Sequence, residues 1–313
     1  MFFVPTVMKV DENLPALKGF KGEIRRSVPM AQYTSFRVGG VVDYLAFPAD
    51  RVDLQAILSW AGESGIPYFV LGNGTNLLVR DGGIRGLGIS LLQGFGGIRM
   101  MERNSNGSRV HAEAGASLRS LVQFTMDERS TGLEWAAGIP GSVGGALFMN
   151  AGAFQGEMKD HLLSLVVMDG QGRSRELQKE ELSFSYRSLT LPRDGLILGG
   201  TFRLPHGDGS AIRTQIEDIV KRRKAKQPLD LPSAGSVFKN PSRGPAGRLI
   251  EEAGLKGCAV GDAQVSEKHA NFIVNRGKAR ARDILALIDQ VRERVFQRSG
   301  VWLELEIKIM GDE

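Results

Sequence analysis

The sequence predicts an α+β fold divided among more than one domain, and three observations carry that prediction. A strand–helix–strand unit is readable at Val41–Phe47, residues 51–64 and Tyr68–Leu71. The middle of the chain is strand-rich, with apolar runs at 163–168 and 195–204 bounded by turn residues. A long amphipathic helix over 279–298 precedes an alternating segment over 301–310. The chain has 313 residues, 42% hydrophobic and 24% charged, enough for two or three globular domains with a sizeable core.

Each element has a local reason. Residues 1–30 carry weak signals and lead into the first domain. Met1 to Val10 is mildly apolar but lacks a charged start and a small-residue cleavage site, so no signal peptide is read. In 51–64, Val52, Leu54, Ile57, Leu58 and Ala61 recur at near-helical spacing behind Asp50 as a cap. The unit ends near Gly88. Residues 109–114 read as a strand, and 117–130 as a helix capped by Ser117. His206-Gly207-Asp208-Gly209-Ser210 is a polar boundary, and a helix over 211–226 then ends in a basic run stopped by Pro228. In 279–298, Ile284, Ile288, Val291 and Val295 make one face, with Gly300 as the C-terminal cap. Val301, Leu303, Leu305, Ile307 and Ile309 share one side of the last segment, with Glu304 and Glu306 on the other.

Two glycine-rich stretches dominate the chemistry. Residues 132–158 hold glycines at 132, 138, 141, 144, 145, 152 and 156 between bulky apolar residues. Glycine loses more backbone entropy on ordering than any other residue, so such a run implies a backbone that approaches something closely. Bare amides there can meet phosphate oxygens or a flat ring. Upstream, Gly72-Asn73-Gly74-Thr75-Asn76 sits between two strand-like runs. It begins like a Gly-x-Gly-x-x-Gly fingerprint, but the third position is Leu77 and no helix follows. A strand–loop–strand phosphate cradle fits better. No Walker pattern is present.

Other classes are disfavoured. A single cysteine, Cys258, forbids an intrachain disulfide and suits a reducing compartment. No apolar run approaches the roughly 20 residues of a membrane span. The net charge of +5 suits an anionic small molecule as well as nucleic acid. The histidines at 111, 161, 206 and 269 show no metal spacing, and no metal is expected.

Single residues speak more weakly. Ser236, in Ser233-Ala234-Gly235-Ser236-Val237-Phe238-Lys239-Asn240-Pro241, reads first as a turn serine and second as a presented hydroxyl. Arg187, beside Tyr186, reads as a surface charge or as a carboxylate fork. Glu306 shares its polar face with Glu304. The basic run 221–226 complements the helix dipole or meets a diphosphate.

Together these segments are far more specific. Thr34-Ser35-Phe36-Arg37-Val38-Gly39-Gly40, residues 72–79, residues 138–152, Tyr186-Arg187-Ser188, residues 235–241, Ala246-Gly247-Arg248-Leu249-Ile250-Glu251, residues 266–275 and residues 304–311 occur in this order. The chain resembles the UDP-N-acetylenolpyruvoylglucosamine reductases, also called UDP-N-acetylmuramate dehydrogenases, over roughly residues 20–311. The resemblance implies a two-lobed vanillyl-alcohol-oxidase-type (PCMH-type) FAD-binding domain plus a C-terminal α+β substrate-binding domain. The expected division is 1–88 and 89–207 for the two FAD lobes, with the FAD-binding region at about 33–205, and 208–313 for substrate.

It further implies FAD as cofactor, NADPH as co-substrate, and the enolpyruvyl ether of UDP-N-acetylglucosamine as acceptor, in peptidoglycan precursor synthesis. By motif, Arg187 holds the substrate carboxylate, Ser236 protonates the carbon next to the one that receives hydride, and Glu306 assists. Cofactor contacts fall on Arg37, Gly72, Asn73, Gly74, Thr75, Asn76, Gly138, Ile139, Pro140, Gly141, Ser142, Gly144, Gly145, Asn150 and Gly152. Asn240, Lys239 and a lysine of the basic run, Lys224 ahead of Lys226, fall on the UDP portion. A cytoplasmic monomer with no nucleic-acid partner and no membrane insertion is expected.

Tyrosines stand at 33, 44, 68 and 186 alone, and the 188–200 interval is short, so the chain resembles the shorter class that lacks a tyrosine-bearing covering loop. Position 33 is tyrosine where asparagine or histidine is common. Two other readings stand beside this one: a sugar or hydroxy-acid oxidase on the same FAD fold, and a non-catalytic nucleotide-binding regulator.

Overall fold

The computed structural model describes Leu17 and residues 19–191 and 195–313. The reading of Met1 to Val10 lies outside the described residues, as do positions 192–194 of the short interval after Arg187. The described residues fall into two compact units, each drawn from three stretches of chain. The first holds the described residues up to Arg26 with Tyr44–Asn73 and Gly86–Lys221, and the second holds Ser27–Asp43, Gly74–Arg85 and Arg222–Glu313.

The first unit contains a five-stranded antiparallel sheet in the order Ser174–Gln178, Leu162–Met168, Leu196–Leu204, Gly107–Glu113, Ile98–Asn104. It also holds most of a four-stranded sheet in the order Glu23–Pro29, Val41–Phe47, Ile84–Ser90, Tyr68–Leu71. In that sheet Tyr68–Leu71 runs parallel to Ile84–Ser90, with Tyr68 opposite Leu87. Asp50 caps the helix Arg51–Glu63 by accepting from the Asp53 amide, and Ser117 caps Leu118–Asp127 through the Ser120 amide. The core joins Leu54, Ile57 and Leu58 of the first helix with Leu118 and Leu121 of the second and Phe202 of the sheet.

The second unit packs the helices Ala246–Glu252 and Ala281–Ser299 with a three-stranded antiparallel sheet, Ala259–Val260, Ala263–Val265 and Ile273–Asn275. Ile284, Ile288, Val291 and Val295 are each at most 1% exposed. Burial of such side chains stabilises by about 1.5–3 kcal/mol apiece. Gly300 ends the helix in the left-handed conformation, with φ 69°. Phe36, Val38 and Leu78 enter this core from the early stretches of the chain.

Two elements differ from the sequence reading. Of 301–310, only Lys308–Met310 forms a strand, parallel to Leu77–Val79. Leu303 and Ile307 are buried as the alternation requires, yet residues 304–306 meet the short segment 237–239 through only a few main-chain bonds. A ladder cannot continue past Pro241, which has no amide to donate. The second glycine stretch is not turns alone. It contains the helix Val143–Phe148, started by Ser142, whose hydroxyl accepts from the Gly145 amide at 3.3 Å.

Candidate active site

The two glycine stretches meet within the first unit. A Cβ on Gly72 would lie 2.9 Å from Ser142 Oγ. The second stretch is pinned to the strand end and helix start at 114–118. Gly144 donates to Ala114 O at 2.9 Å, Val143 to Ala116 O at 2.8 Å, and Leu118 to Gly141 O at 3.0 Å. A Cβ on Gly144 would fall 2.8 Å from the Ala114 Cβ. Ile139 closes a tight turn onto Ala136 O at 3.0 Å, beside exposed Pro140. Gly138 and Gly141 have φ 75° and 144°, a conformation that side chains rarely adopt.

These bonds leave a defined set of donors. Among the described residues, the main-chain amides of Asn73, Gly138 and Gly141 make no hydrogen bond to the protein. Buried Glu134 Oε1 and Trp135 Nε1 are likewise without a protein partner, although Glu134 Oε2 accepts from Gly132 at 2.8 Å. Free amides beside glycine surfaces suit the phosphates and ring edge of a flavin dinucleotide, so these residues fit FAD.

In the second unit, Gly74 and Arg37 stand on one turn. Ser35 donates to Gly74 O from its amide at 3.1 Å and from its hydroxyl at 3.3 Å. Gly74 has φ 61°, and a Cβ there would fall 2.0 Å from Tyr33 O. Arg37, with φ 56°, donates to Thr34 O at 3.0 Å and is exposed. Thr75 is half-buried between them and Asn76. The Asn76 side chain donates to Glu306 O at 3.1 Å, and Asn76 O accepts from the Lys308 amide at 2.9 Å.

Arg187 belongs to the first unit. It is the second residue of a two-residue turn between the strands Ser183–Ser185 and Ser188–Thr190, with Ser185 paired to Ser188. Its φ is 58°. A non-glycine residue held there costs on the order of 1–3 kcal/mol, and such strain gathers at functional sites. A Cβ on Gly152 would lie 2.7 Å from Gly156 O and 2.8 Å from the Glu157 Cβ, and 3.2 Å from Arg187 Nη1, so this glycine is needed first by the facing strand and also lies next to the guanidinium. Asn150, expected among the cofactor contacts, is 0% exposed and spends its side chain inside the protein. It donates to Glu157 Oε2 at 2.7 Å and to Ser185 O at 3.3 Å, and accepts from the Lys159 amide at 3.1 Å.

Ser236 and Glu306 belong to the second unit, and its backbone makes them neighbours. Val237 O accepts from the Glu306 amide at 2.8 Å, and Phe238 pairs with Leu305. Asn271 fixes the serine segment from the other side. Its Oδ1 accepts from Phe238 N at 3.0 Å, its Nδ2 donates to Phe238 O at 2.8 Å, and its carbonyl accepts from Val237 N at 2.8 Å. Ser236 follows Gly235, whose φ is 73°, and its half-buried hydroxyl makes no hydrogen bond among the described residues. Glu306 is half-buried and Glu304 exposed, which separates the two candidates on that face.

The expected substrate residues are mostly exposed. Lys224 and Lys226 end the helix Gly209–Lys226, and Lys268 Nζ donates to Lys224 O at 2.7 Å. Lys239 pairs with Glu304 at 3.3 Å. Asn240 Oδ1 accepts from the Ala246 amide at 3.0 Å and so starts the helix Ala246–Glu252. Sequence reasoning passed over Arg223, which is 9% exposed and whose guanidinium pKa is lowered by burial. The signal was present: 212, 216, 219 and 223 share one helical face. His269 serves the fold: its Nδ1 accepts from the Asn271 amide at 3.3 Å, its ring meets Phe272 edge-on at 4.8 Å, and burial lowers its pKa.

Among the described residues, no helix is long and apolar enough to cross a membrane. Known proteins match along nearly the whole chain. Residues 42–178 match the family described as FAD binding domain. Residues 227–310 match the family described as UDP-N-acetylenolpyruvoylglucosamine reductase, C-terminal domain. A UDP-N-acetylenolpyruvoylglucosamine reductase of Clostridium novyi is 45% identical over 94% of this chain and 94% of its own. That of Geobacter metallireducens is 47% identical over 94% of this chain and 96% of its own. The crystal structure of the Thermus caldophilus reductase superposes with a TM-score of 0.78 at 37% identity, covering 93% of this chain and 99% of that one. The chain therefore belongs to the UDP-N-acetylenolpyruvoylglucosamine reductase family.

Proposed function

We propose that this protein reduces the enolpyruvyl ether of UDP-N-acetylglucosamine, UDP-N-acetyl-3-O-(1-carboxyvinyl)-glucosamine, to UDP-N-acetylmuramate in peptidoglycan precursor synthesis, with FAD as cofactor and NADPH as co-substrate. Bound FAD would supply the hydride, taken in turn from NADPH. The amides of Asn73, Gly138 and Gly141, beside Gly72 and Ser142, would hold it. The remaining chemistry falls to side chains. Hydride reaches the terminal vinyl carbon only if electron density can move toward the carboxylate. Arg187 forks that carboxylate and favours the charge that develops there, and Glu306 assists as a hydrogen-bonding acid. Ser236 then gives its hydroxyl proton to the neighbouring carbon, and one hydride plus one proton complete the two-electron reduction.

The observation that carries this reading is Arg187 itself: a non-glycine residue kept at φ 58° in a two-residue turn. The same reading assigns Lys224 or Lys226, Lys239 and Asn240 to the UDP portion, residues 33–205 to the flavin and 208–313 to the substrate. It describes a cytoplasmic monomer.

The test is a colour experiment without oxygen. The purified protein is yellow, NADPH bleaches it, and the enolpyruvyl nucleotide restores the colour. Ser236→Ala bleaches at the parental rate but recolours about 10²–10⁴-fold more slowly, the range expected for loss of a general acid. Equal recolouring of variant and parent removes Ser236 from this role. A protein that never takes up FAD ends the proposal.

A further inference from the structure

We infer that Asn150 is a positioning residue for Arg187: its side chain fastens the turn that carries the arginine to the loop that forms the arginine's floor. The inference rests on the reading that Arg187 holds the substrate carboxylate, and it removes Asn150 from the cofactor contacts.

Four observations converge. Asn150 is 0% exposed, so a bound ligand has no route to its side chain. Both of its amide hydrogens and one carbonyl lone pair are spent within the protein, on Glu157, Ser185 and the Lys159 amide. The bond to Ser185 O grips the residue at which the Tyr186-Arg187 turn begins. Two residues beyond Asn150, Gly152 lies against the guanidinium, where a Cβ would come within 3.2 Å of Nη1.

One side chain therefore sets both the root of the turn and the surface beneath its charged end. Glu157 braces the arrangement, since its second oxygen pairs with Lys159 Nζ at 2.5 Å. Asn150 has φ 38°, a conformation that asparagine tolerates better than most side chains. Arg187 needs such a clamp because its own backbone sits in an unfavourable region, and a fork that drifts loses its match to a planar carboxylate.

The test is a double-mutant cycle between Asn150→Gly and Arg187→Ala. Glycine keeps the positive φ without strain and takes away only the side chain. Asn150→Gly retains its flavin and is bleached by NADPH at the parental rate. Recolouring by the enolpyruvyl nucleotide slows about tenfold to a hundredfold, with a raised KM for that nucleotide, as expected when a binding group is misplaced by about 1 Å. In the Arg187→Ala background the same change slows recolouring by less than about twofold, because the group it positions is gone.

Equal slowing in both backgrounds overturns the inference. So does loss of flavin or slowed bleaching in a variant of parental Tm, which restores Asn150 to the cofactor contacts. Parental recolouring in Arg187→Ala alone removes the reading of Arg187 and the inference with it. Should Asn150→Gly fail to fold, Asn150→Ser, which keeps one donor, carries the same cycle with the same outcomes.

Discussion

The side-chain amide of Asn76 donates to the main-chain carbonyl of Glu306 at 3.1 Å, across 230 positions of sequence. With the bond from the Lys308 amide to Asn76 O, this starts the parallel pairing of Lys308–Met310 with Leu77–Val79. The first glycine cradle thus ends in a residue that fixes the backbone of the candidate acid.

Asn76→Ala leaves that carbonyl without its donor. The expected loss is about 0.5–1.5 kcal/mol in denaturant unfolding, the net worth of one hydrogen bond. Asn76→Asp should cost more, since it sets a carboxylate oxygen against the carbonyl.

Gly74→Ala should abolish flavin retention. The residue has φ 61°, and the new Cβ would fall 2.0 Å from Tyr33 O. The left-handed conformation alone costs about 1 kcal/mol for alanine. The contact forces the turn of Ser35 and Arg37 away from the cradle. Absorbance of the purified variant in the flavin's visible band reads the outcome through cofactor loading.

Arg187→Asn separates stability from function. Asparagine accepts φ 58° more readily than arginine, so the unfolding midpoint should hold or rise. Recolouring by the enolpyruvyl nucleotide should fall by about 10²–10³, as for removal of a group that stabilises developing charge. A parallel loss of both would place the arginine in the scaffold.

Stability should fall on mild acidification. Burial is the first cause lowering the pKa of His111 and of His269 from the ordinary 6.5. Both imidazoles are therefore held neutral by the fold, and the unfolded chain takes up protons first. The contribution is present above 6.5 and is lost as pH falls through the lower folded-state values. Denaturant titrations at pH steps from about 7.5 to 5 should show it. His111→Gln, which can keep the bond to Thr201 Oγ1, should flatten the slope.

Much of this was legible in the sequence because the signals were local. Asp50 and Ser117 cap the helices they precede, and Gly300 ends the last one. The apolar face of Ile284, Ile288, Val291 and Val295 is buried as its spacing demands. What the sequence hid depends on partners far along the chain. No local pattern shows that Asn150 reaches Ser185 O, or that Asn76 reaches Glu306 O. The alternation of 301–310 was real, but its length as a strand depended on partner segments that supply only a short ladder. Glycine content likewise did not reveal which amides stay free, since Val143 and Gly144 spend theirs on Ala116 and Ala114.

The threading of both units from three stretches apiece has a consequence for biosynthesis. Phe36 and Val38 leave the ribosome early, yet most of the core they join lies between Ala234 and Ile307. At about 5–20 residues per second, they wait on the order of 10 s or longer for that core. Nascent chains stalled before Arg222 should therefore display those side chains to chaperones and proteases, and no single cut in the gene separates the two halves, since Ser27–Asp43 and Gly74–Arg85 of the second lie between stretches of the first.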